Sequence, residues 1–152
     1  MAIAFAVESF DQVIAELRDL IDRKRGDLPR TQETPVDPNF DLYATMARVG
    51  CLTIYTVRDD GVLVGYASYF VGMSMHSKQA GWATSDSVWI NPEARRLCLG
   101  RRLLRFIETD LRERGIIVSQ TLAKPGSAFS RLLHSQGYVL GDLVYTRRIT
   151  DA

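Results

Sequence analysis

One stretch of this chain gathers residue types that can hold an anion. From Val88 to Leu104 it reads Val88-Trp89-Ile90-Asn91-Pro92-Glu93-Ala94-Arg95-Arg96-Leu97-Cys98-Leu99-Gly100-Arg101-Arg102-Leu103-Leu104. A β-type run passes through a short proline-containing turn and enters the start of a helix. The first N–H groups of a helix have no partner within it, and the macrodipole adds partial positive charge there. Such an end can hold a phosphate or pyrophosphate, and arginines at the turn add charge-assisted hydrogen bonds. Arg95, Arg96, Arg101 and Arg102 stand close enough to the turn to take part. Arg105, Arg112 and Arg114 read as a solvated helix face.

The surrounding elements must present that turn. Ser9 suits an N-cap, and Phe10, Val13, Ile14, Leu17, Leu20 and Ile21 recur at helical spacing, with Gly26 as the stop. A small strand over Ala2–Val7 precedes it. Asp27–Asn39 carries three prolines and reads as a loop, and a shorter helix over about Asn39–Val49 ends at Gly50. Leu52–Val57 and Val62–Val71 read as strands joined at Asp59-Asp60-Gly61, with a third strand over roughly Trp82–Ile90. The loop Gly72–Gly81 separates the second and third strands. After Pro92 one long amphipathic helix is expected, with Leu99, Leu103, Phe106, Ile107 and Leu111 on one face and Gly115 at its end. Ile116–Thr121 follows as a strand and Ser127–Ser135 as a helix closed by Gly137. Tyr138–Ile149 is then expected to form a hairpin around Gly141-Asp142. The order predicts an α/β (α+β) domain over 1–152: a mixed, mostly antiparallel sheet flanked by helices.

Composition narrows the function classes. The 152 residues are 46% hydrophobic and 24% charged, which suits a globular chain with a real core. No apolar run is long enough to span a bilayer, and Met1–Val7 does not read as a secretory leader, so cytoplasmic residence is the expectation. Cys51 and Cys98 lack metal-ligand spacing, and His76 and His134 lie far from both, so no metal site is expected. The net charge of +1 and the lack of an aromatic stacking motif argue against a nucleic-acid partner, despite the arginine-rich helix.

The Val88–Leu104 segment resembles the acetyl-CoA signature of the GNAT superfamily of N-acetyltransferases, R-x-x-G-x-G/A after a strand and a proline-containing turn. Arg95 fills the arginine position, Gly100 the second glycine, and Leu103-Leu104 the apolar pair that follows. Cys98 stands at the first glycine position, where a glycine would let the backbone approach the pyrophosphate without a Cβ. The strand, short helix and Gly137-Tyr138 pair that follow also match the superfamily in order. His76, Asp86, Pro92-Glu93, Arg95 and Lys124-Pro125-Gly126 together resemble a subgroup common in phage and prophage genomes.

The resemblance implies acetyl-CoA as co-substrate and direct attack by an amine, from a small molecule or a peptide. It also implies contacts to CoA from Val88, Trp89, Ile90 and the loop Arg95 to Arg102, Leu97 and Leu99 included. An amide near Trp89 or Ile90 is the expected oxyanion donor, and Asp86 the candidate base, with a plain strand role as the alternative. The superfamily's usual tyrosine acid falls at Leu133, so Ser130, His134 or Tyr138 would have to substitute, or water would supply the proton. His134 and Tyr138 also read as an exposed helix residue and a hairpin packing residue. Trp89 also reads as packing, and Cys98 as a small packing residue or a reactive thiol. A homodimer is compatible with the resemblance. A degenerate acyl-CoA-binding or protein-interaction module is the competing reading, favoured by Cys98 and Leu133. A glutamate at position 100 is expected to abolish CoA binding with the fold intact.

Overall fold

Among the residues that the computed structural model describes (2–23, 37–147 and 149, with Arg96 and Leu97 by backbone alone), five strands combine with four α-helices. In chain order they are β1 (Ile3–Glu8), α1 (Phe10–Arg23), α2 (Phe40–Arg48), β2 (Leu52–Asp59), β3 (Val62–Met73) and β4 (Gly81–Ile90). A 3-10 helix (Pro92–Leu97), α3 (Leu99–Glu113), β5 (Ile116–Gln120) and α4 (Ala128–Ser135) complete the set. The sheet runs β1-β2-β3-β4-β5; the first three pairings are antiparallel and β4–β5 is parallel. This is the mixed, mostly antiparallel sheet expected.

Two apolar layers hold the helices on the sheet. On one face α3 seats Leu99, Leu103, Ile107 and Leu111 against Tyr55, Val57, Ala67, Tyr69 and Ala83. Each fully buried aliphatic side chain contributes roughly 1.5–3 kcal/mol, so this one stripe fixes α3 to the sheet. On the other face Phe10, Val13 and Leu17 of α1 meet Leu52, Ile54, Tyr66 and Trp89. β2 lies between the two layers, and Leu52–Val57 is buried without alternation. Arg58 ties the sheet edge to α1: its guanidinium binds Glu8 of β1 at 2.8 Å and Glu16 of α1 at 2.7 Å. The same guanidinium holds the Glu8 carboxyl below the usual carboxylate range.

Local chemistry explains the turns. Asp60 and Gly61 both take positive φ, 47° and 83°, as a two-residue type I′ hairpin requires. Ser9 stands at the start of α1, but its hydroxyl donates rather than accepts: Gln12 Oε1 receives both Ser9 N–H and Ser9 Oγ at 2.9 Å. Asn39 caps α2 by accepting from Leu42 N at 3.0 Å.

Two expectations are corrected. The long helix after Pro92 is two elements, because Cys98 adopts a left-handed conformation between the 3-10 helix and α3. The tail hairpin does not form: residues 138–147 carry no strand. A hairpin is marginal unless a face packs on something else, and here Val139, Leu140, Val144 and Tyr145 are all exposed. The expected loop at 27–39 lies outside the described residues except for 37–39, which are irregular.

Candidate active site

The site begins with a register shift in β4. Ser68 of β3 pairs with Ser87, but the next β3 residue, Tyr69, pairs with Ser85, so Asp86 is an extra residue. Such a β-bulge turns two consecutive side chains to one face. Asp86 Oδ2 accepts from Tyr43 Oη of α2 at 2.7 Å and from Ser68 Oγ at 3.0 Å. Ser87 Oγ lies 3.2 Å from Tyr66 Oη on the same α1/α2 face. Burial and the neighbouring Asp86 carboxylate push the Tyr43 phenol well above its usual range, so it stays a donor. Ser85 faces the other way and accepts from Leu122 N at 2.8 Å.

Beyond the bulge β4 has a free side. β5 pairs only with Gly81–Thr84, while β4 continues to Ile90. Asn91 N donates to Val64 O at 2.8 Å, which sets the antiparallel alternation along this end of the strand. Trp89 therefore directs its N–H and C=O toward β3. Val88 and Ile90 direct theirs to the side that β5 has left. Ile90 O accepts from Arg95 Nε at 3.1 Å, which draws Arg95 back to the strand end.

The turn leads directly to an uncapped helix end. Asn91 caps the 3-10 helix by accepting from Glu93 N at 3.2 Å. Cys98 follows at φ 54° and ψ 26°, with no side chain capping α3 and no acid in its first turn. The first bond of α3 runs from Arg102 N to Cys98 O at 3.2 Å. The N–H groups of Leu99, Gly100 and Arg101 thus have no partner in the helix.

The family model of the acetyltransferase (GNAT) family matches residues 15–138. The chain is a GNAT-family member. No curated protein matches it by sequence. Among solved structures it is similar to a ribosomal-protein-alanine N-acetyltransferase from Brucella melitensis biovar Abortus 2308, with TM-score 0.77, 16% identity and coverage of 99% of this chain and 100% of that one. It is also similar to an aminoglycoside acetyltransferase from an uncultured soil metagenomic sample in complex with sisomicin, with TM-score 0.76, 10% identity and coverage of 99% and 97%. A third is glucosamine-6-phosphate N-acetyltransferase from Arabidopsis thaliana, with TM-score 0.71, 10% identity and coverage of 99% and 100%. At these identities the likeness is one of fold.

Against this GNAT frame the expected site residues fall into groups. Asp86, Val88, Ile90 and Arg95 line the open end of β4, with Cys98 and the first N–H groups of α3 following in the chain. The side chains of Trp89, Ile90 and Leu99 are buried in the core, so only their backbone can meet a ligand. Arg101 is exposed. Arg102 lies with its guanidinium 5.0 Å from the Phe5 ring of β1, the sheet edge opposite β5. Leu133 is buried in α4. Ser130 serves the α4 cap through its N–H to Ser127 Oγ at 3.0 Å, and His134 is exposed in the last turn. Tyr138 is half-buried; burial and the Glu108 carboxylate raise its pKa, and Thr121 at the end of β5 opposes that shift. Tyr43 and Ser68 were not expected at the site. Alternation places Ser68 on a face, but nothing in the sequence near Tyr43 points to Asp86.

Proposed function

We propose that this GNAT-family chain is an N-acetyltransferase that moves an acetyl group from acetyl-CoA to a primary amine by direct attack. The observation that carries this reading is the adjacency of three features. These are a bulged carboxylate at Asp86, the N–H groups of Val88 and Ile90 turned to the side that β5 leaves, and an uncapped, acid-free start to α3. The donor set suits acetyl-CoA: amide N–H groups along the strand for the pantetheine amides, and helix N–H groups for the pyrophosphate. Acetyl-CoA supplies a thioester carbonyl carbon, which bonds to the amine nitrogen as the carbon–sulfur bond breaks.

The chain's own residues do the rest. Asp86 accepts the proton that the ammonium must lose. The Val88 or Ile90 N–H meets the negative charge developing on the acyl oxygen; Trp89, turned to β3, does not. Arg95, Arg101 and the start of α3 hold phosphate oxygens. Of Ser130, His134 and Tyr138, the last is the acid we favour, because it is half-buried and its phenol keeps its proton through burial and the Glu108 carboxylate. The named neighbours act on a ribosomal-protein alanine, an aminoglycoside and glucosamine-6-phosphate, and this range supports no acceptor narrower than a primary amine. The phage and prophage resemblance has no counterpart among those three. Cytoplasmic residence and a homodimer belong to the same reading, and sedimentation checks the second.

Cys98 in the cradle and apolar Leu133 favour a second reading, a GNAT-fold module that binds acyl-CoA without turnover. Calorimetric titration with acetyl-CoA, CoA and ADP, followed by an amine screen, separates the two. Binding that depends on the pyrophosphate, with turnover cut at least about a hundredfold in Asp86→Asn, is the expected result. Binding without turnover for any amine supports the module instead.

A further inference from the structure

We infer that Tyr43 and Ser68 are positioning residues for Asp86, and that the Tyr43–Asp86 bond ties α2 to that carboxylate. The inference rests on the reading of Asp86 as the base. Both hydroxyls donate to the same oxygen, Oδ2, at 2.7 and 3.0 Å. They approach from different elements, Tyr43 from α2 and Ser68 from β3. Two donors on one oxygen fix the rotation of the carboxylate. Among the described residues no donor reaches Oδ1, so that oxygen is left to meet the acceptor's ammonium.

The same bond serves α2. This helix of nine residues has no buried side chain of its own, and it exposes Leu42 and, at its C-cap, Val49. It leans on the core through half-buried residues such as Phe40, Tyr43 and Met46. Tyr43 stacks on Phe10 of α1, with ring centroids 6.4 Å apart and planes 8° apart, and then reaches Asp86 with its hydroxyl. The ring belongs to the packing; the hydroxyl ties α2 to the reacting group. The hydrogen bond thus couples the position of α2 to the orientation of the Asp86 carboxylate.

Tyr43→Phe keeps the stacked ring and removes only the donor. Its effect is read two ways, beside Ser68→Ala, Asp86→Asn and the double variant Tyr43→Phe/Asp86→Asn. Hydrogen exchange on the proteins alone should show the amides of 40–48 exchanging several-fold faster in Tyr43→Phe, and in the double variant no faster than in Tyr43→Phe. Steady-state acetyl transfer, with acetyl-CoA and the best primary amine from the screen, should show kcat down about tenfold in Tyr43→Phe. The KM for acetyl-CoA should stay unchanged, and Tyr43→Phe should cost nothing further once Asp86 is asparagine. Ser68→Ala should lower kcat in the same sense. Unchanged exchange in α2 overturns the inference, as does a Tyr43→Phe penalty that persists in the Asp86→Asn background. Full activity in Asp86→Asn sinks the base assignment itself, which the exchange data then judge separately from the tie between Tyr43 and Asp86.

Discussion

Cys98 carries the sharpest strain at the residue scale. Its φ of 54° lies in the left-handed region, which costs a side chain with a Cβ roughly 1–2 kcal/mol. Glycine at the first signature position thus has two reasons: close approach of backbone to a ligand, and a conformation that only glycine adopts freely. Cys98→Gly removes the strain and returns roughly 0.4–1 kcal/mol through a looser unfolded chain. The net expectation is a gain of about 0.5–1 kcal/mol, read as a melting temperature about 1–4 °C higher. Calorimetry on the same variant should show tighter CoA binding. A lower melting temperature would mean that position 98 does not hold this conformation in solution.

Between elements, Gly100 is a packing residue as well as a signature residue. A Cβ built there would lie 2.9 Å from Leu132 Cδ2 of α4 and 3.8 Å from Ile90 Cδ1. Glutamate at this position would meet the end of the Leu132 side chain with its Cβ, so Gly100→Glu tests packing between α3 and α4 as well as pyrophosphate binding. Gly100→Ala is the cleaner probe. It should change stability by no more than about 1 kcal/mol in urea unfolding, since the end of the Leu132 side chain can shift and alanine favours the helix. Leu132→Ala should cost less in that background than alone, because it relieves the contact. Equal costs in both backgrounds would deny the contact.

Five of the six tyrosines, at positions 43, 55, 66, 69 and 138, have phenols pushed upward at the scale of the whole molecule, chiefly by burial. Tyr69 is pushed up to about 12, while its hydroxyl lies 2.7 Å from Thr121 Oγ1. A raised folded pKa contributes stability that is fully present below the unfolded value of about 10 and is lost as pH rises through the folded value. The fold should therefore weaken steeply between about pH 10 and 12. Phenolate absorbance at these five should appear together with loss of helical circular dichroism. Ionisation of most tyrosines near pH 10 with the circular dichroism intact would contradict the burial.

Short-range chemistry was legible before any fold. Asp60-Gly61 specifies its own turn, Asn39 its own cap, and the apolar stripe of α3 its own buried face, because each depends on residues within one or two turns of chain. The signature around Arg95 and Gly100 was legible for the same reason, and so was the element order as far as α4. Other features depend on partners distant in the chain. Alternation alone does not reveal a one-residue shift inside the polar run Ser85-Asp86-Ser87; only pairing with β3 makes Asp86 the bulge. Tyr43 meets Asp86 across 43 residues because α1 and β2 bring α2 over β4. Residues 138–147, β-rich in composition, carry no strand, because pairing is decided between segments and composition does not supply it. The sequence by itself determined the elements and the chemistry available on them; tertiary structure decided which groups meet, because register and packing are set between elements and not within them.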